Sequence, residues 1–299
     1  MRKTLALLLT ALMLLSAGCA QAASLMDMYG REVVLDASAT RIVALAPSDC
    51  EILCALGAED LLVGRGAYCD YPESILDVPV VETGENTNLE QIIALQPQVV
   101  LMADMAQTAE QVQALEDAGI RVVLSDANDI EGVYTAIRMI GQLTGLEGEA
   151  EALVADMQAT FDGIVAQSEE TGKTVYFEVS PLEYGLWTAG ANTFMDELAS
   201  LCGLTNAFAD VEGWAAISEE QVLERDPDYI VTISMYYGEG PTPVEEIMGR
   251  PGWEHLKAVE NGDVFNADSN EISRPGPRLK DAALALYAFV SGEAEEPAA

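Results

Sequence analysis

Short apolar runs alternate with helix-forming stretches along this chain, and the alternation occurs twice. Strand-like runs at Arg41–Ala46, Leu61–Gly64, Gln98–Ala103 and Arg121–Ser125 are separated by helical patterns at Cys50–Leu56, Leu89–Leu95 and Ala106–Ala118. Such alternation predicts parallel strands joined by crossover helices. The pattern returns at Thr174–Val179, Tyr229–Ser234 and Asp263–Asn266, with helices near Thr193–Leu201, Glu219–Arg225 and Lys280–Val290. Between the two blocks, Glu131 to about Glu170 lacks proline and carries two apolar series at helical spacing. These are Val133, Ile137, Ile140 and Leu143, then Leu153, Met157, Phe161 and Ile164. Twenty helical residues extend about 30 Å, so a single long helix over 146–170 would join the blocks as a rigid strut and oppose large hinge closure. The expected fold is α/β with two lobes, 29–145 and 171–292, each a parallel-rich sheet flanked by helices. The polar stretch 293–299 reads as a disordered tail.

The N-terminus reads as a signal peptide over 1–18. Arg2 and Lys3 supply the positive region, and Leu5 to Leu15 is an apolar core too short to span comfortably. Ser16-Ala17-Gly18-Cys19 has the form of a lipidation site at Cys19, although Leu15 lies one place too early. Ala20-Gln21-Ala22 offers a competing cleavage site that would leave the protein free of lipid. With Cys19 modified, 19–28 would be a short anchor segment. No later run is apolar and long enough to span a bilayer, so a lipid would be the only membrane attachment, at the outer face of the cell membrane or in a periplasm. The formal charge of −36, from 14 basic and 50 acidic residues, excludes nucleic acid and anionic lipid surfaces as partners. It keeps the chain soluble, and any docking partner should be basic. Cys50, Cys54, Cys69 and Cys202 allow three full disulfide pairings, and buried free thiols are the alternative.

No catalytic constellation is present. His255 is the only histidine, which leaves no set of ligands for a zinc-type site. There is no Gly-x-Ser-x-Gly turn and no phosphate-binding loop. The chain is therefore read as a non-enzyme, with no cofactor and no metal. Residues 46–72 suggest binding instead. After the first strand, Pro47 and Ser48 break the chain, and Ser48 or Asp49 would cap a helix from Cys50. Glu51 would then lie exposed in its first turn, favoured by the helix dipole. Tyr68, Asp70 and Tyr71 follow the next strand, at the end where α/β folds place ligands. Asn86 precedes a helix for which Asn88 is a cap. Trp214 can stack on a planar ring or cover a lobe edge, and Tyr184 and Trp187 face the same choice. Arg274 and Arg278 bracket Pro275-Gly276-Pro277. Arg274 is a candidate for ligand carboxylates, Arg278 for anchoring the last helix.

These motifs, in this order, resemble the substrate-binding proteins of ABC importers for ferric siderophores, haem and cobalamin. The likeness runs from Pro47-Ser48-x-x-Glu51 through Asn86–Pro97 and Ser218–Leu223 to Ser273–Leu279. It implies a monomeric receptor that carries a ligand between its lobes and docks on a permease dimer with basic patches. On that pattern Glu51 would meet permease arginines. The matching position of the second lobe is Ser200, a departure, and Asp196 or Glu197 one turn earlier would have to substitute. A nearly neutral corrinoid suits the Tyr-Cys-Asp-Tyr loop and Trp214. Ferric siderophores come next and would need Arg65 or Arg274 if anionic. Haem would take a tyrosine rather than His255 as iron ligand. A ligand-sensing module that does not transport is the reading from a different class.

Overall fold

The computed structural model describes residues 23–84, 87–103, 108–238 and 240–292. The signal segment 1–18, Cys19, Asn86 and the tail 293–299 lie outside the described residues. The strands are β1 Ala23–Met26, β2 Glu32–Leu35, β3 Ile42–Ala44, β4 Leu62–Gly66, β5 Val80–Val81, β6 Val99–Met102 and β7 Arg121–Leu124. They continue as β8 Thr174–Ser180, β9 Trp187–Ala189, β10 Thr205–Asn206, β11 Trp214–Ala216, β12 Tyr229–Thr232 and β13 Val264–Asn266.

β3 to β7 form a parallel sheet in the order β5-β4-β3-β6-β7. The second lobe has the order β11-β9-β8-β12-β13, with β10 also on β8. Its β8, β12 and β13 are parallel, whereas β9 and β11 add an antiparallel edge. The strands form where the apolar runs lie, because buried parallel strands need nonpolar side chains on both faces. β6 is buried along its whole length, and so is β12.

Two features depart from the sequence expectation. Residues 23–28 are not an anchor, since β1 pairs with β2 and Asp27 accepts backbone N–H groups of Tyr29, Arg31 and Leu124. This hairpin closes the first lobe, and Gln142 donates to the carbonyl of Ser24. The first helix begins at Pro47 rather than Cys50, with Ala46 as its uncapped N-terminal neighbour. Proline at the first helical position loses nothing there, because its missing N–H would be unpaired anyway. Asp49 is thereby drawn inside the helix. The inter-lobe helix runs over Glu147–Gln167, preceded by helix Ile130–Thr144 and separated from it where Gly145 adopts φ +77°.

The two helices lie closely packed: a Cβ at Gly141 would come within 2.5 Å of the Ala150 methyl. Helix Leu279–Ser291 packs along Glu147–Gln167 in turn. One apolar core therefore runs from Ile42 and Leu101 of the first lobe through Ile137, Val154 and Phe161 to Phe177 and Leu286 of the second. The lobes are joined by packed side chains, not by a flexible crossover. Among the described residues no helix is long and apolar enough to cross a membrane, and Cys50, Cys54, Cys69 and Cys202 are all free.

The lobes also echo each other. Asn88-Leu89-Glu90-Gln91 leads through Pro97 to β6, and 130 residues later Ser218-Glu219-Glu220-Gln221 leads through Pro227 to β12. Asn88 and Ser218 each accept the N–H of the glutamine three residues on, capping helices Leu89–Ala94 and Glu219–Arg225. Ser218 completes a reciprocal capping box with Gln221. Glu90 and Glu220 are exposed at the second position of these helices.

Candidate ligand cleft and inter-lobe seam

A cleft of about 550 Å³ opens between the lobes at the C-terminal ends of the parallel strands. Its first-lobe side is Ala46, Pro47 and Ser48 after β3, Tyr68 after β4, Ala103 after β6, and Ser125 to Asn128 after β7. The second lobe supplies Phe194, Trp214, Met235, Ser269, Asn270, Ser273, Arg274 and Pro275. This is the end at which α/β sheets receive ligands, because the loops there are free to diverge. Trp214 is braced by Phe194 with ring centroids 5.4 Å apart. Tyr68 is 75% exposed across the mouth.

Of the expected ligand residues, Tyr68, Trp214 and Arg274 line this cleft. Asp70 and Tyr71 are held beside it by the second lobe. Arg274 donates through Nη1 to Glu51 at 2.9 Å and Asp70 at 2.8 Å, and through Nη2 to the Tyr68 carbonyl at 3.2 Å. Burial raises the Asp70 carboxyl, but the Arg274 hydrogen bond and charge prevail and hold it below the usual carboxylate range. The Arg278 guanidinium stacks on the Tyr71 ring at 4.1 Å. Trp187 stands apart: Ala189 opposes Trp214 and Ala216 opposes Trp187 in the β9–β11 ladder. Trp187 thus shares the face of Trp214 but lies two residues further along, outside the cleft wall. Tyr184 is also exposed outside it.

Glu51 requires a larger correction. It is only 3% exposed and faces the opposite lobe. Its Oε1 accepts from Arg274 and from Arg278 at 2.7 Å, and its Oε2 accepts from Arg278 at 2.9 Å. The carboxylate that the helix-start rule exposes to a partner is consumed by two arginines more than 220 residues away. Glu197 is likewise turned inward, its Oε2 accepting the backbone N–H of Ile130 at 2.6 Å. Burial, followed by the charges of Asp129, Asp196 and Glu131, overcomes that hydrogen bond and raises its carboxyl. Asp196 lies beside it at the inter-lobe seam. Glu51 and Glu197 are thus engaged within the protein, whereas Asp196 is half-buried with no side-chain ion pair among the described residues. Next to the Glu51 pairing, Gly276 lies close to Ser48, so the lobes approach at the backbone level there.

Arg65 is not available to a ligand either. It is buried and donates to the carbonyls of Cys69, Leu76 and Val78, fixing the loop that carries Tyr68. Among the described residues the only charged side chains lining the cleft are Asp126 and Arg274, and Arg274 is already matched by two carboxylates. Sequence reasoning missed Met235, Tyr236 and Tyr237, which follow β12 and are 54%, 46% and 84% exposed. The signal was available, since a Met-Tyr-Tyr run at the C-terminal end of a buried strand has no core to enter.

Comparison with known proteins agrees with this architecture. Residues 42–271 match a protein-family model described as periplasmic binding protein. The chain is 35% identical over 261 residues to the uncharacterized ABC transporter substrate-binding lipoprotein YvrC of Bacillus subtilis, covering 85% of this chain and 80% of that one. It is 29% identical over 262 residues to a cobalamin-binding protein of Halobacterium salinarum, covering 85% and 70%. A solved structure of a possible iron-binding, periplasmic solute-binding protein from Staphylococcus epidermidis superposes with a TM-score of 0.73 at 30% identity, over 85% of this chain and 99% of that one.

Proposed function

The chain belongs to the periplasmic binding proteins, and from that footing we propose that it captures a nearly neutral, ring-shaped ligand of the corrinoid class. It is an extracytoplasmic substrate-binding component of an ABC importer and not an enzyme. The observation that carries the ligand reading is electrostatic. The cleft is walled by Tyr68, Phe194, Trp214, Met235 and small polar groups, and its one guanidinium is already paired with Glu51 and Asp70. A polyanionic siderophore or the propionates of haem would have to break that pairing inside a strongly negative molecule. A macrocycle bound through its faces and edge amides would not. The cobalamin-binding relative supports the same choice. Attachment through a lipid on Cys19 is part of this reading.

The decisive experiment is titration of the purified protein with cyanocobalamin, a ferric hydroxamate and haem, together with an absorption spectrum and mass spectrum of natively purified material. Corrinoid binding alone is expected. Tight binding of haem or a ferric siderophore, with none of cobalamin, would overturn the ligand class.

Permease docking we assign to Glu90 and Glu220. Each is exposed at the start of a capped helix at the cleft end of its lobe, in corresponding positions, as a two-fold permease would require. Charge reversal of both to arginine should abolish uptake while leaving ligand affinity within about twofold, because rim charges govern encounter and orientation. Undiminished uptake by the double variant would refute the assignment.

A further inference from the structure

On the far side of the inter-lobe seam from the cleft lies a second groove, of about 700 Å³. One wall comes from helix Ile130–Thr144, one from Glu147–Gln167 and one from Phe194–Leu201, so all parts of the molecule meet there. Its floor is apolar: Phe161 and the ring of Tyr134 are 4% and 5% exposed. Its rim carries the carboxylates of Glu131, Asp162, Asp196 and Glu197. We infer that this groove is a binding site for an aliphatic polycation, a di- or triamine whose methylene segments cover the floor while its ammonium groups meet the rim.

Three observations converge on that chemistry. First, two of the four rim acids carry no countercharge. Asp162 and Asp196 have no side-chain ion pair among the described residues. Arg138 lies 3.8 Å from Glu131 and is held at 2.9 Å by Glu151, outside the groove. Second, the Tyr134 hydroxyl makes no hydrogen bond among the described residues, although the residue is nineteen-twentieths buried and lines the groove. Burial, then the charges of Glu131, Asp162 and Glu197, push it up to about 12. It stays a neutral phenol whose oxygen can accept from an ammonium and whose ring can face one. Third, the acids are spread along the rim. Among the described residues no three potential ligands are grouped to hold a metal ion, and separated acids over an apolar floor suit a methylene chain rather than an ion.

Occupancy would act on the seam. Glu197 reaches from this groove to the Ile130 N–H, and Phe194 of the same helix donates to the Asn128 carbonyl at 2.9 Å on the cleft side. A polycation spanning Asp162 and Asp196 would tie the connecting helix to the second lobe behind the cleft. The inference is independent of which ligand the cleft takes.

The test is isothermal titration of the full chain with spermidine, and with magnesium at matched ionic strength. The wild-type protein is compared with Asp162→Asn/Asp196→Asn, with Tyr134→Phe, and with the remote pair Glu110→Gln/Asp117→Asn. One saturable spermidine site is expected. It should weaken by about tenfold or more in the Asp162/Asp196 variant and by a few-fold in Tyr134→Phe, and change by less than about twofold in the remote pair. All four rim positions tolerate neutralisation because they are at least partly exposed, and circular dichroism verifies that the variants fold. Absence of saturable binding, equal weakening by the remote pair, or magnesium binding as tightly as spermidine would each overturn the inference.

Discussion

The two lobes share a plan and differ in what they bring to the seam between them. Both place a capped helix and an exposed glutamate before a buried inner strand, 130 residues apart. The five-stranded sheet of the first lobe is wholly parallel, and that lobe contributes carboxylates, Glu51 and Asp70. The second carries an antiparallel edge in its main sheet, Trp214 and the exposed Met235–Tyr237 run, and the two arginines that answer those acids. In a chain of net charge −36 with 14 basic residues, two guanidiniums on one buried carboxylate form a local attraction against general repulsion. Position on the outer rim and position at the seam thus divide the acids into two kinds. Those outside remain free for a partner, and those inside hold the lobes together.

The sharpest way to break that comparison lies within the second lobe. Its core contains a buried ion pair, Arg250 and Glu178, each with a side chain 1% exposed, joined by two hydrogen bonds of 2.8 and 3.1 Å. The first lobe has no such pair among its described core residues. Arg250→Met keeps most of the volume and the contact on Trp253, whose ring lies 4.1 Å from the guanidinium, but leaves Glu178 buried without its countercharge. A loss of about 3–5 kcal/mol is expected in urea unfolding. Adding Glu178→Gln should recover part of it. Because one apolar core crosses both lobes, the whole transition should move as a unit. A variant in which only the second lobe melts early would refute the continuity of that core.

The seam itself should respond less. Arg274 and Arg278 are 11% and 13% exposed at their side chains, so water can partly solvate them when Glu51 is removed. Glu51→Ala should cost about 2 kcal/mol. A double-mutant cycle with Arg278→Ala should return a coupling of about 1–2 kcal/mol. Ligand affinity should also fall, since the loop from Tyr68 to Tyr71 loses its hold on the second lobe. A coupling near zero would mean that the pairing contributes nothing beyond its geometry.

Why the fold could be read and this seam could not has a physical basis. Strand and helix positions follow from local apolar periodicity, and β3, β4, β6, β7, β8, β12 and β13 all lie within or beside the expected runs. The Asn88 and Ser218 caps are local as well, involving residues three apart. Glu51 obeyed the same local logic and misled, because its partners at 274 and 278 are set by how two lobes meet. Trp187 and Trp214 were equivalent in the sequence, and only the β9–β11 register separates them.

The subtlest contrast lies within one turn of helix. Asp49 and Glu51 are both buried in Pro47–Ala55, yet Glu51 accepts three hydrogen bonds whereas neither oxygen of Asp49 has a partner. Burial raises the Asp49 carboxyl from 3.8 to about 7, with nearby Ser125 opposing and the Asp126 charge adding. Between about pH 4 and 7 the folded chain therefore keeps a proton that the unfolded chain has released. Stability from this group is fully present below pH 4 and is lost as pH rises through 7. Asp49→Asn should remove that slope. It should leave acid stability nearly unchanged and raise stability at pH 8 by roughly 1–2 kcal/mol, measured as urea midpoints across the range. A variant that is less stable at pH 8 would show that the ionised carboxylate has a partner after all, and that the acids of this helix are of one kind rather than two.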